Sequence, residues 1–120
     1  MADVLFILNE APYGSERTYN ALRLAVTLSA QPEQRVRMFL MGDAVLSAKA
    51  GQRVPAGYYN VETMLHKVTQ RGEVALCGTC LDARGLRDEE LLADCRRSTM
   101  VELGRWTSEA EKILVFCTIP

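Results

Sequence analysis

Short apolar runs alternate with segments of helical periodicity along the chain, and this alternation constrains its fold more than any other feature. Strands are predicted at Val4–Leu8, Val36–Met41, Glu73–Cys77, Cys95–Ser98 and Lys112–Cys117. Continuous apolar runs are typical of strands that are covered on both faces, as in a parallel sheet. Strands that alternate with helices pair in parallel through right-handed crossovers. The sequence therefore predicts an α/β protein that folds as a three-layer α/β/α sandwich.

The segments between the strands carry signals for helix N-termini. The predicted caps are Ser15 for a helix over Glu16–Ser29, Asp43 for a short helix over Ala44–Ala50, Asn60 for a helix that ends near Arg71, Thr79 for a short helix, and Thr99 for a helix to about Glu109. Their side-chain oxygens can accept hydrogen bonds from the first free peptide N–H groups. Thr79 with Asp82, and Thr99 with Glu102, also have the spacing of a capping box.

Length and charge narrow the classes of protein that the chain can belong to. The chain has 120 residues, of which 48% are hydrophobic, so we expect one globular domain over residues 1–120. Its 14 Lys and Arg residues balance 15 Asp and Glu residues, which argues against nucleic-acid and membrane partners. No secretory signal is visible, because Val4–Leu8 is too short for the apolar core of one. We therefore expect a cytoplasmic protein.

Cys77-Gly-Thr-Cys80 is the strongest chemical signal in the sequence. Cys77 ends a predicted strand, and Cys80 lies in the first turn of the helix that follows. The partial positive charge and free N–H groups of a helix N-terminus stabilise a thiolate, and Arg84 adds a cation about one turn further on. These surroundings predict a lowered pKa for Cys77 and a reactive thiolate there.

The sequence supports other functions of these cysteines less well than a reactive thiolate. A structural zinc site needs four ligands, and His66, the only histidine, lacks ligand spacing to any cysteine, so no metal is expected. A thioredoxin-type exchanger places its motif near the start of the chain, whereas here it lies past the middle. Cys95 and Cys117 have no polar partner in the sequence and are predicted to be ordinary interior thiols.

Ligands of open α/β sheets bind at the carboxyl ends of the strands. The loop after the first strand and the turn after the third strand both fall at that edge. We therefore predict that Tyr13 and Gly14, together with Gly78 and Thr79, contact the substrate. The helix that begins after Gly14 could also face an anion there, although a simple turn explains the same residues.

Several segments together resemble the DsrE/DsrF-like family, particularly its small YchN-type members. The matching segments are Val4–Leu8, Pro12–Gly14 before an Ala- and Leu-rich helix, Met41–Val45, Leu76–Gly85, and Ser98–Leu103 followed by Trp106. They follow one another in the family's order over nearly the whole chain. The cysteine segment is the most specific of them.

The resemblance implies a mostly parallel five-stranded sheet and, in some members, sulfur relay. In those members the cysteine at the position of Cys77 accepts sulfane sulfur as a persulfide and passes it to a partner protein. Cys80 matches the second cysteine of a subset of the family, and it either resolves a persulfide to a disulfide or has no role. The resemblance also implies a homo-oligomer, as trimer or hexamer, with a sulfur-donor or acceptor protein as partner and no cofactor.

The sequence therefore favours a sulfurtransferase or sulfur carrier that uses Cys77, with Arg84 stabilising the thiolate. Two other classes of protein remain open at this point. One is a non-catalytic oligomeric binding or scaffold protein in which the cysteines are incidental. The other is a thiol–disulfide switch that uses Cys77 and Cys80.

Overall fold

The computed structural model describes residues 2–117, and the strands and helices alternate along them. The strands are β1 (Ala2–Leu8), β2 (Gln34–Leu40), β3 (Glu73–Cys77), β4 (Cys95–Ser98) and β5 (Lys112–Phe116). The α-helices are α1 (Arg17–Ser29), α2 (Val61–Thr69), α3 (Gly78–Ala83) and α4 (Met100–Glu109), and two 3₁₀ helices cover Gly42–Ala48 and Asp88–Glu90. All five predicted strands are therefore present.

The strands form one sheet in the order β4-β3-β2-β1-β5. Every neighbouring pair is parallel, so the predicted α/β class and the parallel sheet are confirmed. Phe6 of β1 lies opposite Met38 of β2 on one side and Leu114 of β5 on the other. Phe6 and Met38 are fully buried, as expected of central strands in a parallel sheet.

Helices cover both faces of the sheet and give it three layers. On one face, α1 packs against α2 and also contacts β1 and β2. On the other face, Trp106 of α4 meets the ring of Phe39 edge-on, with 6.3 Å between the ring centroids. Because side chains alternate along a strand, Phe39 and its neighbour Met38 point to opposite layers. The carboxyl ends of β2, β3 and β4 are left open at one edge of the sheet.

Two of the five predicted caps, Asn60 and Thr99, occupy N-cap positions in the structure, and the other three do not. Asn60 does cap α2, since its side-chain oxygen accepts the Thr63 N–H at 3.1 Å. At α1 the N-cap is Glu16 rather than Ser15, because the chain reaches helical geometry one residue later. Thr99 occupies the N-cap position of α4, but its side chain makes no capping hydrogen bond.

The other two predicted caps lie inside the turns that they were expected to start. Asp43 belongs to the first 3₁₀ helix, whose N-cap is Met41. Thr79 belongs to α3, whose N-cap is Cys77. α3 begins directly at the end of β3, and Met41 is the single residue between β2 and the 3₁₀ helix, so each helix begins earlier than predicted.

Trp106 provides a test of the packing on the α4 face. It is 1% exposed, and Arg37 and Arg96 lie over its ring at 5.2 and 5.4 Å from the centroid. We expect Trp106→Ala to lower the free energy of unfolding by about 3–5 kcal/mol, because it removes a large buried side chain. Urea denaturation measures the loss. Ser108→Ala, on the exposed side of the same helix, is the matched control and should change it by less than about 0.5 kcal/mol. Equal losses in the two variants would contradict this packing.

Candidate functional site

Cys77 lies where β3 passes directly into α3. It is the last residue of the strand and also the N-cap of the helix. Its Sγ accepts a hydrogen bond from the peptide N–H of Cys80 at 3.4 Å. The residue is buried, with 9% of its surface exposed. The sulfur therefore takes the place that an Asn or Ser oxygen usually takes at a helix N-terminus.

Cys80 lies one helical turn further on and is half-buried. Its Sγ accepts a hydrogen bond from the peptide N–H of Gly42 at 3.1 Å. Gly42 has a φ of +57°, a left-handed conformation that glycine adopts without steric cost. The turn after β2 therefore brings a backbone donor to the second thiol. The Cys80 side chain also lies close enough to Cys77 to raise the pKa of the Cys77 thiol.

Both cysteines line a cavity of about 690 Å³ at the carboxyl ends of β2, β3 and β4. The other residues that line it are Met41, Gly78, Thr79, Asp82, Arg97, Ser98, Thr99 and Met100. The predicted contact residues Gly78 and Thr79 thus lie beside Cys77. The location agrees with the expectation that ligands of such folds bind at this edge of the sheet.

The prediction of a lowered pKa for Cys77 is wrong. Burial of the thiol raises its pKa above the ordinary value, and the hydrogen bond with the Cys80 thiol raises it further. The peptide N–H groups of Cys80 and Thr79 act in the opposite direction but do not outweigh burial. Desolvation penalises the charged form of a buried thiol, and the sequence does not show how deeply the end of β3 is covered.

The structure gives Arg84 partners other than the Cys77 sulfur that it was predicted to stabilise. Its guanidinium pairs with Asp43 through Nε and Nη2, at 3.0 and 2.9 Å, and Nη1 donates to the Cys80 carbonyl oxygen at 3.1 Å. Arg84 does not line the cavity of Cys77. It is bound to the turn after β2, and it holds the first turn of α3 against that turn.

Arg97 on β4 is the cation that lines the cavity, and it was not among the predicted site residues. Its Nη1 donates to the Gly78 carbonyl oxygen at 3.1 Å and to the Asp82 carboxylate at 3.0 Å, and its Nε donates to Asp88. A Cβ added to Gly78 would lie 3.1 Å from the Ser98 carbonyl oxygen and 3.2 Å from Arg97 Cγ. The start of α3 therefore packs closely on β4. The consecutive residues Arg96 and Arg97 after Cys95 are the sequence feature that could have indicated a positively charged site on this strand.

Tyr13 and Gly14 do not join the cysteine cavity. They line a separate cavity of about 430 Å³, together with Tyr58 and Tyr59. The Tyr13 hydroxyl donates to Gln52 Oε1 at 2.6 Å and accepts the Val61 N–H at 3.0 Å. The loop after β1 is thereby bonded to the start of α2. The predicted contact residues therefore lie in two separate cavities, Gly78 and Thr79 in one and Tyr13 and Gly14 in the other.

The two cysteines outside the cavity differ in their exposure to solvent. Cys95 is buried as predicted, and burial raises its pKa to about 12. Cys117 is exposed, so the prediction of an interior thiol is wrong there. It directly follows β5, an edge strand of the sheet.

His66 is exposed, and its Nδ1 lies 3.7 Å from the Asp94 carboxylate. Within residues 2–117, no group of three or more His, Cys, Asp or Glu side chains could hold a metal ion. None of the helices in this range is both long and apolar enough to cross a membrane.

A fully parallel sheet with a two-cysteine cavity at its carboxyl edge defines an α/β protein with a thiol site. The model of the DsrE/DsrF-like family matches residues 2–116. The chain belongs to that family.

Individual relatives agree with this assignment. Protein YchN of Escherichia coli K12 is 42% identical over 118 residues, which cover 97% of this chain and 100% of YchN. The crystal structure of the E. coli ychN protein superposes with a TM-score of 0.90 over 97% of this chain and 100% of that chain. A more distant relative, a TusC homolog of Aliivibrio fischeri, is 24% identical over 92% of this chain and 96% of its own length.

The effect of the neighbouring Cys80 thiol on the pKa of Cys77 leads to a test. Cys80→Ala removes the thiol that helps to raise this pKa, so the alkylation of Cys77 should reach its half-maximal rate at a lower pH. The alkylation rate of Cys77 at neutral pH should rise as well, because a larger fraction of its thiol is then ionised. Peptide mapping after iodoacetamide pulses at several pH values measures the change for Cys77 alone.

Thr79→Ala is the matched control, because it also trims a side chain of the cavity but leaves the Cys80 thiol in place. Its midpoint should equal that of the wild-type chain. Buried Cys95 should remain unlabelled in all variants. A Cys80→Ala midpoint that is unchanged or higher would contradict the role of the thiol pair.

Proposed function

We propose that the protein is a sulfur carrier of the sulfur-relay type. In this proposal Cys77 accepts sulfane sulfur as a persulfide and passes it to a partner protein. The observation that carries the proposal is the position of the Cys77 sulfur: it caps α3 and faces a cavity that also holds a second thiol. No cofactor takes part in the proposed chemistry.

The proposed uptake step is a thiol exchange. The Cys77 thiolate attacks the outer sulfur of a donor persulfide, a bond forms between the two sulfurs, and the donor's S–S bond breaks. The donor leaves as a thiolate and the added sulfur stays on Cys77. Peptide N–H groups of Thr79 and Cys80 favour the anionic sulfur, as donors at a helix N-terminus do for anions.

Burial of Cys77 fits a carrier better than a freely reactive thiol. Because the pKa of Cys77 is raised, most of the resting protein holds a neutral thiol at neutral pH. Small oxidants and alkylating agents react with thiolates, so the resting site is protected from them. Uptake should therefore be favoured for donors that enter the cavity and orient their sulfur toward Cys77.

Membership of the DsrE/DsrF-like family supports the proposal, since sulfur relay occurs in that family. The TusC homolog among its distant relatives is a further hint of the same chemistry. The cavity has room for a persulfide and for an approaching segment of a donor or acceptor, with a volume of about 690 Å³.

We also propose that copies of the chain associate with one another, as a trimer or hexamer. β5 is an edge strand, and its apolar side chains Ile113 and Val115 are 43% and 54% exposed. At the mouth of the cysteine cavity, Met100 and its neighbour Val101 are 61% and 83% exposed. Exposed apolar side chains clustered on an edge strand are typical of surfaces that another chain covers.

Sulfur uptake tests the proposed role of Cys77. After a short treatment with a low-molecular-weight persulfide, the Cys80→Ser variant should gain about 32 Da, the mass of one sulfur atom, in intact mass spectrometry. The Cys77→Ser variant should gain no sulfur in the cysteine cavity. Cys117→Ser is the control for the exposed cysteine and should behave like the wild-type chain. Uptake that persists in Cys77→Ser, with the sulfur on Cys80, would show that the carrier is misassigned.

Light scattering after gel filtration tests the association. The wild-type chain should elute as a trimer or hexamer of the 13.4 kDa chain. Val115→Lys should shift it toward monomer, because a charge on this surface would be buried between copies. Leu24→Lys, at an exposed apolar position of α1, is the control and should leave the assembly intact. A wild-type chain that is monomeric at all concentrations would refute the proposal.

A further inference from the structure

The carrier function uses one sulfur, yet the cavity is lined by two thiols, those of Cys77 and Cys80. Cys80 follows Cys77 by three residues at the start of α3, a spacing that brings side chains together on one side of a helix. The peptide N–H of Cys80 points at Cys77 Sγ over 3.4 Å. A thiol in this position can reach the inner sulfur of a persulfide on Cys77.

Contacts from two directions hold Cys80 in this position. The Gly42 N–H donates to its Sγ at 3.1 Å, and the Arg84 guanidinium donates to its carbonyl oxygen while it pairs with Asp43. From the side of β4, Arg97 donates to the Gly78 carbonyl oxygen. The first turn of α3 is thus bonded on both flanks, and the sulfurs stay next to each other.

We propose that Cys80 makes this site a sulfide-releasing one, in which the sulfur taken up by Cys77 leaves as inorganic sulfide. The inference rests on the proposed persulfide on Cys77. It differs from relay to a protein acceptor in its product: the sulfane sulfur is reduced within the chain itself.

The step balances in atoms and electrons. Cys80 Sγ attacks Cys77 Sγ, a disulfide forms between the two residues, and the bond from Cys77 Sγ to the outer sulfur breaks. The outer sulfur leaves as hydrosulfide with the electron pair of that bond, and the proton of the Cys80 thiol completes hydrogen sulfide. The two thiols are oxidised by two electrons, and the sulfane sulfur is reduced by two.

Further turnover requires a dithiol reductant, which restores both thiols as it becomes a disulfide. Disulfides join residues whose Cα atoms are about 4.4–6.8 Å apart, and the rise of about 1.5 Å per residue with 3.6 residues per turn places Cα atoms three residues apart within about that range. The half-buried position of Cys80 leaves the disulfide open to a reductant from the cavity.

To test this, the full chain is treated briefly with glutathione persulfide, the donor is removed by desalting, and no reductant is added. Released sulfide is measured colorimetrically against a donor-only blank, and the protein by intact mass. The wild-type chain should release about one sulfide per chain and end about 2 Da lighter than the reduced protein, the loss of two hydrogens to a disulfide. Dithiothreitol should restore the original mass and allow a second round.

Cys80→Ser should keep the added sulfur, about 32 Da, and release at least tenfold less sulfide than the wild-type chain. Cys80→Ala is a second variant that removes the thiol without a hydroxyl, and it should give the same result. Cys117→Ser should release sulfide like the wild-type chain, because the exposed cysteine lies outside the cavity.

The outcomes separate this inference from the carrier function. If the wild-type chain and Cys80→Ser both keep the persulfide on Cys77 and release no sulfide, the inference is overturned and the carrier function stands. If Cys80→Ser takes up no sulfur and the wild-type chain releases none, the carrier function fails, and the inference with it. Sulfide release by the Cys77→Ser variant would also overturn the inference, because it would place the chemistry on Cys80 alone.

Discussion

The direct passage from β3 into α3 is the constraint on which the cysteine site depends. No loop separates the strand from the helix, so Cys77 ends one and caps the other. Gly78 lets this junction lie against β4, where a Cβ would press on the Ser98 carbonyl oxygen at 3.1 Å. Arg97 closes the contact through the Gly78 carbonyl oxygen. With the backbone held in this way, both sulfurs face one cavity at the carboxyl edge of the sheet.

The chemistry of Cys77 follows from two opposing effects at this junction. The N–H groups of the first turn of α3 favour a thiolate, whereas burial and the neighbouring Cys80 thiol favour the protonated form and raise the pKa. Burial prevails, so the site is suited to thiol exchange with a donor that enters the cavity and not to indiscriminate reaction. Cys80, less buried and bonded to Gly42, supplies the second sulfur that a single-thiol carrier lacks.

The fold was predictable because local patterns and the global architecture agree. Each apolar run became a strand, and β3 matched its predicted bounds, Glu73–Cys77. The partners of charged side chains were not predictable, since they depend on contacts far apart in sequence. Arg84 pairs with Asp43, 41 residues away, and Arg97 reaches Gly78, 19 residues away. The depth of burial at Cys77 and the exposure of Cys117 likewise depend on how neighbouring strands end.

The central claim is that Cys77 carries the sulfur. A crystal structure of the Cys80→Ser variant after treatment with a persulfide donor tests it most directly, because without the second thiol the persulfide should persist. Density for one added sulfur should appear on Cys77 Sγ, inside the cavity and beside the N–H groups of Thr79 and residue 80. An unmodified Cys77 in a crystal whose Cys95 or Cys117 carries the added sulfur would contradict it.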